Sequence, residues 1–197
     1  RLRPLIREGG AQPVVSPIYP SVVYATETPD HLDRIYEREV EGFTYSREGH
    51  PNASALAALI DQMEGAEGGL LTSSGMAAVS LAVLSHVQAG DHVVAGNQLY
   101  GRCLRLLTEE LPRLGIRAGF FDPTDVASAL DAITPETKVM LIEVVSNPTL
   151  RVADLEGLAA LCRERGVKLI VDNTFTTPKA IRPLDFGADV VVHSVTK

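Results

Sequence analysis

The sequence predicts an α/β fold, a mainly parallel sheet with helices on both faces, and two observations predict it. Short apolar runs at 92–95, 117–121, 138–144, 167–171 and 189–192 alternate with segments of helical period. Those runs are apolar throughout rather than at every second residue, as expected of strands covered on both faces.

Residues 1–45 stand apart. They carry Pro4, Pro13, Pro17, Pro20 and Pro29 and no sustained period, which predicts an extended arm with one short helix around 29–40. Such an arm has little of its own to pack on, so it is expected to contact a neighbouring subunit. Residues 46–197 are expected to form the α/β domain. Leu56, Leu59, Ile60 and Met63 recur at helical spacing, and Gly65 closes that helix. Residues 69–73 read as a short strand. The stretch 75–87 is almost wholly apolar or small, which predicts a helix buried on most sides. Strand 92–95 is followed by a helix over 102–114 punctuated by Pro112, strand 117–121 by a helix over 125–133, and strand 138–144 by a helix that Asp154 caps. That last helix shows Leu155, Leu158, Leu161 and Cys162 before Gly166, and strands 167–171 and 189–192 complete an expected six.

Composition narrows the function. The chain has 197 residues, 45% hydrophobic and 22% charged, with 18 Lys+Arg against 25 Asp+Glu and a net charge of −7. That balance disfavours nucleic acid or an anionic membrane as the main partner, since both need a basic face. Two cysteines, Cys103 and Cys162, are too few for a disulfide framework, and no Cys/His cluster has metal-ligand spacing, so no metal is expected. No apolar run approaches the ~18 residues of a membrane span, and no signal-peptide layout is present, which points to a reducing, cytoplasmic setting. The chain opens on Arg1 and stops at Lys197 directly after an apolar strand, so its ends are expected to be cuts, with a C-terminal domain missing.

In parallel sheets, ligands sit outside the carboxyl ends of the strands. Four groups of residues fall there. Ser73-Ser74-Gly75-Met76 turns into a helix, so free backbone N–H groups and the helix dipole, about half a positive charge, meet at one spot. That suits a phosphate, although a plain Ser cap with a packing Gly is the simpler reading of those residues alone. Asp172-Asn173-Thr174 offers a carboxylate for a protonated ring nitrogen or a metal. His193-Ser194-Val195-Thr196-Lys197 offers two hydroxyls and an amine, suited to clamping a phosphate or to covalent chemistry. Leu99-Tyr100-Gly101 offers an aromatic ring that stacks on a flat ligand or covers a helix end. Neither of the glycine-rich nucleotide loops G-x-G-x-x-G and G-x-x-x-x-G-K-[ST] occurs. Together the four groups are the parts that hold pyridoxal phosphate. The other readings are a phosphate- or nucleotide-binding module without lysine chemistry, or an inactive fragment.

The chain also carries Tyr45-Ser46-Arg47, Leu71 through Met76 with Ala77-Ala78, Gly90-Asp91-His92-Val93-Val94, Leu99-Tyr100-Gly101, Ser146-Asn147-Pro148, Val171-Asp172-Asn173-Thr174-Phe175, Thr177-Pro178 and Gly187-Ala188-Asp189. With the final His193 to Lys197 segment, these motifs resemble, in order, the Cys/Met-metabolism family of pyridoxal-phosphate enzymes. The resemblance implies pyridoxal 5'-phosphate bound as a covalent aldimine on Lys197, with Asp172 against the pyridine nitrogen and Tyr100 stacked on the ring and relaying a proton. It implies a phosphate cradle of Ser74, Gly75, Met76, Ser194 and Thr196, and Asn147 near the cofactor and the substrate carboxylate. Tyr45 and Arg47 match a pair that reaches a neighbouring subunit's phosphate, within a homotetramer of two active dimers. The implied reaction is γ-elimination or γ-replacement on a sulfur-containing or O-acylated amino acid, as in cystathionine γ-synthase, cystathionine γ-lyase or O-acylhomoserine sulfhydrylase, with the freed Lys197 amine taking the α-proton. Four positions depart from the family's usual pattern, namely His50, Asn52, Arg102 and Val144. Arg102 points away from a methionine γ-lyase, and Tyr100-Gly101 away from a cystathionine β-lyase.

Overall fold

The computed structural model describes residues 14–147 and 149–197. These fall into two units, one holding the chain up to Gln62 with Glu67–Leu71, the other Met63–Ala66 and Thr72–Lys197.

The larger unit is built on a parallel sheet of β1 (His92–Gly96), β2 (Arg117–Phe121), β3 (Thr137–Glu143), β4 (Lys168–Asp172) and β5 (Val190–Val192), in the order β2-β1-β3-β4-β5. Successive strand residues point to opposite faces, and each face has its own core. On one, Val94, Met140, Ile142, Leu169 and Val171 pack with helices α5 (Val126–Ala132) and α6 (Leu155–Arg165). On the other, Val93, Ala95, Val139, Leu141 and Ile170 meet α3 (Gly75–Leu84) and the helical segment that begins with α4 (Gly101–Arg105). Met140, Leu141 and Ile142 are at most 1% exposed, so each contributes about 1.5–3 kcal/mol of burial. This double covering is the reason the strands read as continuous apolar runs.

The helices begin where their caps dictate. Ser74 Oγ accepts from Ala77 N (3.1 Å), Asp125 Oδ1 from Ala127 N (2.9 Å) and Asp154 Oδ1 from Gly157 N (3.0 Å), each cap stabilising its helix by about 1 kcal/mol. Gly166 ends α6 at φ 65°, a left-handed conformation that glycine adopts without the clash of a side chain.

Two expectations are corrected. The segment 102–114 is not one α-helix. It is α4 to Arg105, a π turn over Leu106–Glu110 and a 3₁₀ turn over Leu111–Leu114. Pro112 has no N–H to give and its ring collides with the carbonyl four residues back, so the chain widens before it and tightens around it. The apolar run 69–73 is not a strand, and five strands stand among the described residues where six were expected. A strand exists only through hydrogen bonds to a neighbour, and that run pairs with none of the described strands.

In the smaller unit, α1 (Pro29–Tyr36) starts at Thr28, whose Oγ1 accepts from His31 N (3.1 Å). Val23 and Tyr45 form an isolated antiparallel bridge, and the Tyr24 and Phe43 rings lie 5.8 Å apart beside it. Helix α2 (Pro51–Glu64) begins in this unit, and its last two residues belong to the larger one. Among the described residues no helix is long and apolar enough to cross a membrane.

Candidate cofactor site

Register lines the candidate residues up. Glu143 pairs with Asp172 across β3 and β4, and Asp172 with Val192 across β4 and β5, so three strands reach the carboxyl edge of the sheet at one level. The loops beyond them carry Asn147, Thr174 and the segment from His193 to Lys197, and the loop beyond β1 carries Tyr100.

The first α3 turn and the last turn of the chain meet at Gly75. A Cβ added there would lie 2.7 Å from Ser194 Cβ and 3.1 Å from Ser194 Cα, so only glycine lets the two backbones approach this closely. The N–H groups of Gly75 and Met76, first in the helix, have no carbonyl within it to bond. Ser194 Oγ and Thr196 Oγ1 are 3.0 Å apart, and Lys197 N donates to Ser194 O (3.2 Å), closing the turn that presents the exposed lysine. Two free amides, two hydroxyls and a helix N-terminus make a set of donors suited to a phosphate dianion.

Hydrogen bonds tie this cup to the carboxylate. Thr174 N donates to Asp172 Oδ1 (2.9 Å), and Ser194 N donates to Thr174 Oγ1 (2.7 Å). Sequence reasoning selected Asp172 but passed over its neighbour Glu143, which is 8% exposed. Glu143 Oε1 accepts from Tyr100 N (2.7 Å) and Oε2 from Asn147 N (3.0 Å). Cys103, Glu143 and Asp172 bring a thiol and two carboxylates within 4.8 Å of one another, and Cys103 Sγ lies 3.8 Å from Met76 Sδ. Burial pushes the Cys103 thiol up to about 12, and Asp172 and Glu143 push the same way. Burial also raises the Glu143 carboxyl; the N–H groups of Tyr100 and Asn147 draw it back, and Asp172 adds to the rise. The signal for Glu143 was in the sequence: it is the single charge closing an apolar strand, as Asp172 is for the next one.

A third carboxylate, Glu64, is 2% exposed beneath the same strand ends. Its Oε1 accepts from Asn173 Nδ2 (2.8 Å) and from His193 Nε2 (2.5 Å), binding together the residues that follow Asp172 and precede Ser194. Asn173, fully buried, also donates from Nδ2 to Ile181 O (3.0 Å) and accepts from Thr176 Oγ1. Glu64 gave no sequence signal, since an acid ending an amphipathic helix reads as a surface charge.

The larger unit therefore brings together Ser74, Gly75, Met76, Tyr100, Asn147, Asp172, Ser194, Thr196 and Lys197. Tyr45 and Arg47 belong to the smaller unit, where the Arg47 guanidinium sits 4.9 Å from the Tyr45 ring centre.

Comparison with known proteins follows the same lines. Over 156 residues the chain is 45% identical to a cystathionine γ-lyase of Bacillus subtilis, covering 79% of this chain and 41% of the relative. It is 36% identical to an L-methionine γ-lyase of Porphyromonas gingivalis, over 93% of this chain and 46% of that one. Among solved structures, one described as an O-acetylhomoserine (thiol)-lyase of Campylobacter jejuni, which contains a pyridoxyl-lysine monophosphate, matches with a TM-score of 0.87 at 33% identity, over 92% of this chain and 45% of that one. The chain thus spans about half the length of the relatives it matches. The model of the Cys/Met metabolism PLP-dependent enzymes matches residues 6–197, and to that family the chain belongs.

Proposed function

We propose that this chain is the cofactor-binding part of an enzyme that carries out γ-elimination or γ-replacement on a sulfur-containing or O-acylated amino acid. One observation carries the reading: a phosphate-type cup, a carboxylate, an aromatic ring and an amine stand on neighbouring loops at one sheet edge, in a chain whose relatives include enzymes named as γ-lyases, a β-lyase and an O-acetylhomoserine sulfhydrylase. The residues fit pyridoxal phosphate. The close approach at Gly75 leaves room for no side chain and turns free N–H groups and hydroxyls toward one anion, while Asp172 offers an acceptor for a ring N–H.

When bound, pyridoxal phosphate supplies a protonated aromatic ring that accepts the electron pair left at the substrate's α-carbon. The protein's residues divide the remaining work. Gly75, Met76, Ser194 and Thr196 hold the phosphate. Asp172 keeps the ring nitrogen protonated, since a carboxylate beside a cation favours the charged form. Tyr100 would stack on the ring, and Asn147 would stand near the substrate carboxylate. Lys197 would hold the cofactor's aldehyde end, and its amine is the group placed to take the α-proton as general base. Tyr45 and Arg47 serve a neighbouring copy's phosphate in a homotetramer, the expected arm of residues 1–45, of which 1–13 lie outside the described residues, serves that neighbour, and the enzyme works in the cytoplasm.

The test uses the natural full-length protein. With added pyridoxal phosphate it should turn yellow, and borohydride should fix the cofactor to the peptide that contains Lys197, read by mass spectrometry. Product analysis with cystathionine, with O-acetylhomoserine plus sulfide, and with methionine then identifies the substrate. A colourless protein unaffected by Lys197→Ala would restore the phosphate-binding module as the better reading.

A further inference from the structure

The strand order β2-β1-β3-β4-β5 reverses direction between β1 and β3. After β1 the chain runs through Tyr100 to α4 on one face, and after β3 it runs through Asn147 to α6 on the other. Connections that part in this way open a crevice at the sheet edge, where ligands of open parallel sheets bind. Two divergent loops at such a crevice have no reason of their own to keep a fixed separation.

We infer that Glu143 is the strut that sets it, a positioning residue that fixes the backbones of the Tyr100 and Asn147 loops against Asp172 across the crevice. Its two oxygens are divided between the loops, Oε1 on Tyr100 N at 2.7 Å and Oε2 on Asn147 N at 3.0 Å. Both contacts are to backbone, so they place the loops whatever rotamers the side chains adopt. The carboxylate rises from β3 in register with Asp172 and is itself buried, so its position is as fixed as the sheet. Bringing a second acid beside Asp172 is unfavourable in itself. The arrangement persists because two backbone donors satisfy Glu143, and no neutral side chain of its length accepts from both. Glutamine has one acceptor oxygen and would turn its amide N–H₂ against the other N–H. Aspartate is too short to span the gap.

The inference rests on the proposed cofactor site, and its test separates the two. Wild-type full-length protein, Glu143→Gln and Glu143→Asp are titrated with pyridoxal phosphate, and visible circular dichroism reads how the bound ring is held. Thermal melting checks each fold, and kcat and KM are measured with whichever amino acid the wild type turns over. Both variants should bind pyridoxal phosphate about tenfold more weakly, the loss expected for one buried hydrogen bond to a charged group. The dichroic band should fall by about half or more, and kcat about tenfold with KM within about threefold, as when an interaction of the transition state is lost. Melting temperatures near wild type with an unchanged band and affinity would overturn the role of Glu143, while a wild type that binds no pyridoxal phosphate would overturn the site itself. Amide hydrogen exchange of the wild-type apoprotein supplies a readout free of both variants and cofactor. The N–H groups of Tyr100 and Asn147 should exchange at least about a hundredfold more slowly than free loop amides, and unprotected amides would overturn the strut even if neither variant folds.

Discussion

Replacing Glu64 by alanine should be among the most destabilising single changes in the larger unit. Glu64 Oε1 accepts from Asn173 Nδ2 at 2.8 Å and from His193 Nε2 at 2.5 Å, with Glu64 and Asn173 at 2% and 0% exposure. Hydrogen bonds to a charged acceptor contribute about 1.5–3 kcal/mol each, so losing the two that Oε1 accepts costs about 3–6 kcal/mol. Asn173 keeps its bond to Ile181 O and the His193 side chain is 12% exposed, so both donors are partly relieved and the lower half of that range, about 4 kcal/mol, is expected. Glu64→Gln should cost less, about 1–2 kcal/mol. Its remaining oxygen still accepts, and its new N–H₂ takes the place of Oε2, which is buried without a partner already. The assay is urea unfolding of the apoprotein followed by far-ultraviolet circular dichroism. A loss below about 1 kcal/mol for Glu64→Ala, the scale of an exposed ion pair, would refute the buried network as the clamp on these strand ends.

Other outcomes follow from the same physical terms. Gly75→Ala should weaken pyridoxal phosphate binding by about fivefold to 150-fold, the equivalent of an overpacking cost of about 1–3 kcal/mol, while leaving the affinity for phosphate-free pyridoxal nearly unchanged; equal losses for both would show that Gly75 does not shape a phosphate cup. Burial holds the thiols of Cys103 and Cys162 up at about 12, so neither should react with a disulfide reagent in the native protein at about pH 8, where a free cysteine does. Rapid native labelling would contradict the packing. Burial, with Arg117 adding to it, lowers His92, which shares a hydrogen bond with Thr137 Oγ1 at 2.7 Å. The unfolded chain therefore binds the proton more readily, and this part of the stability is full above the unfolded pKa of about 6.5 and declines as pH falls below it. Urea midpoints between about pH 7 and pH 5 should fall less steeply in His92→Gln than in wild type, and equal slopes would exclude His92 as a source.

How far the sequence carries depends on whether a residue's signal is local. The strands were legible because a sheet buried on both faces demands apolar residues at consecutive positions, a pattern visible within five residues. Asp154 and Gly166 were legible because a helix end is satisfied by its own neighbours. The run 69–73 misled for the complementary reason: its composition suits a strand, but strandhood belongs to a pair, and composition cannot supply the partner. Pro112 announced a disturbance without its form, since the π turn ahead of it is a compromise among several backbone bonds.

The two acids divide on the same ground. Glu143 meets Tyr100 from 43 residues away, and Glu64 meets Asn173 and His193 from 109 and 129. No spacing rule reaches that far, but topology does for one of them. Once strands are known to be parallel, every strand end lies at one edge, and a charge closing an apolar strand must either reach solvent or find donors there. Asp172 was singled out as a carboxylate at a strand end within reach of a ligand, and Glu143 closes the neighbouring strand in the same way. Its donors turn out to be the backbones of the loops that carry the other candidates. Glu64 escapes the rule because it arrives from a helix outside the sheet, where the choice between surface and interior is made only when the strand ends close over it.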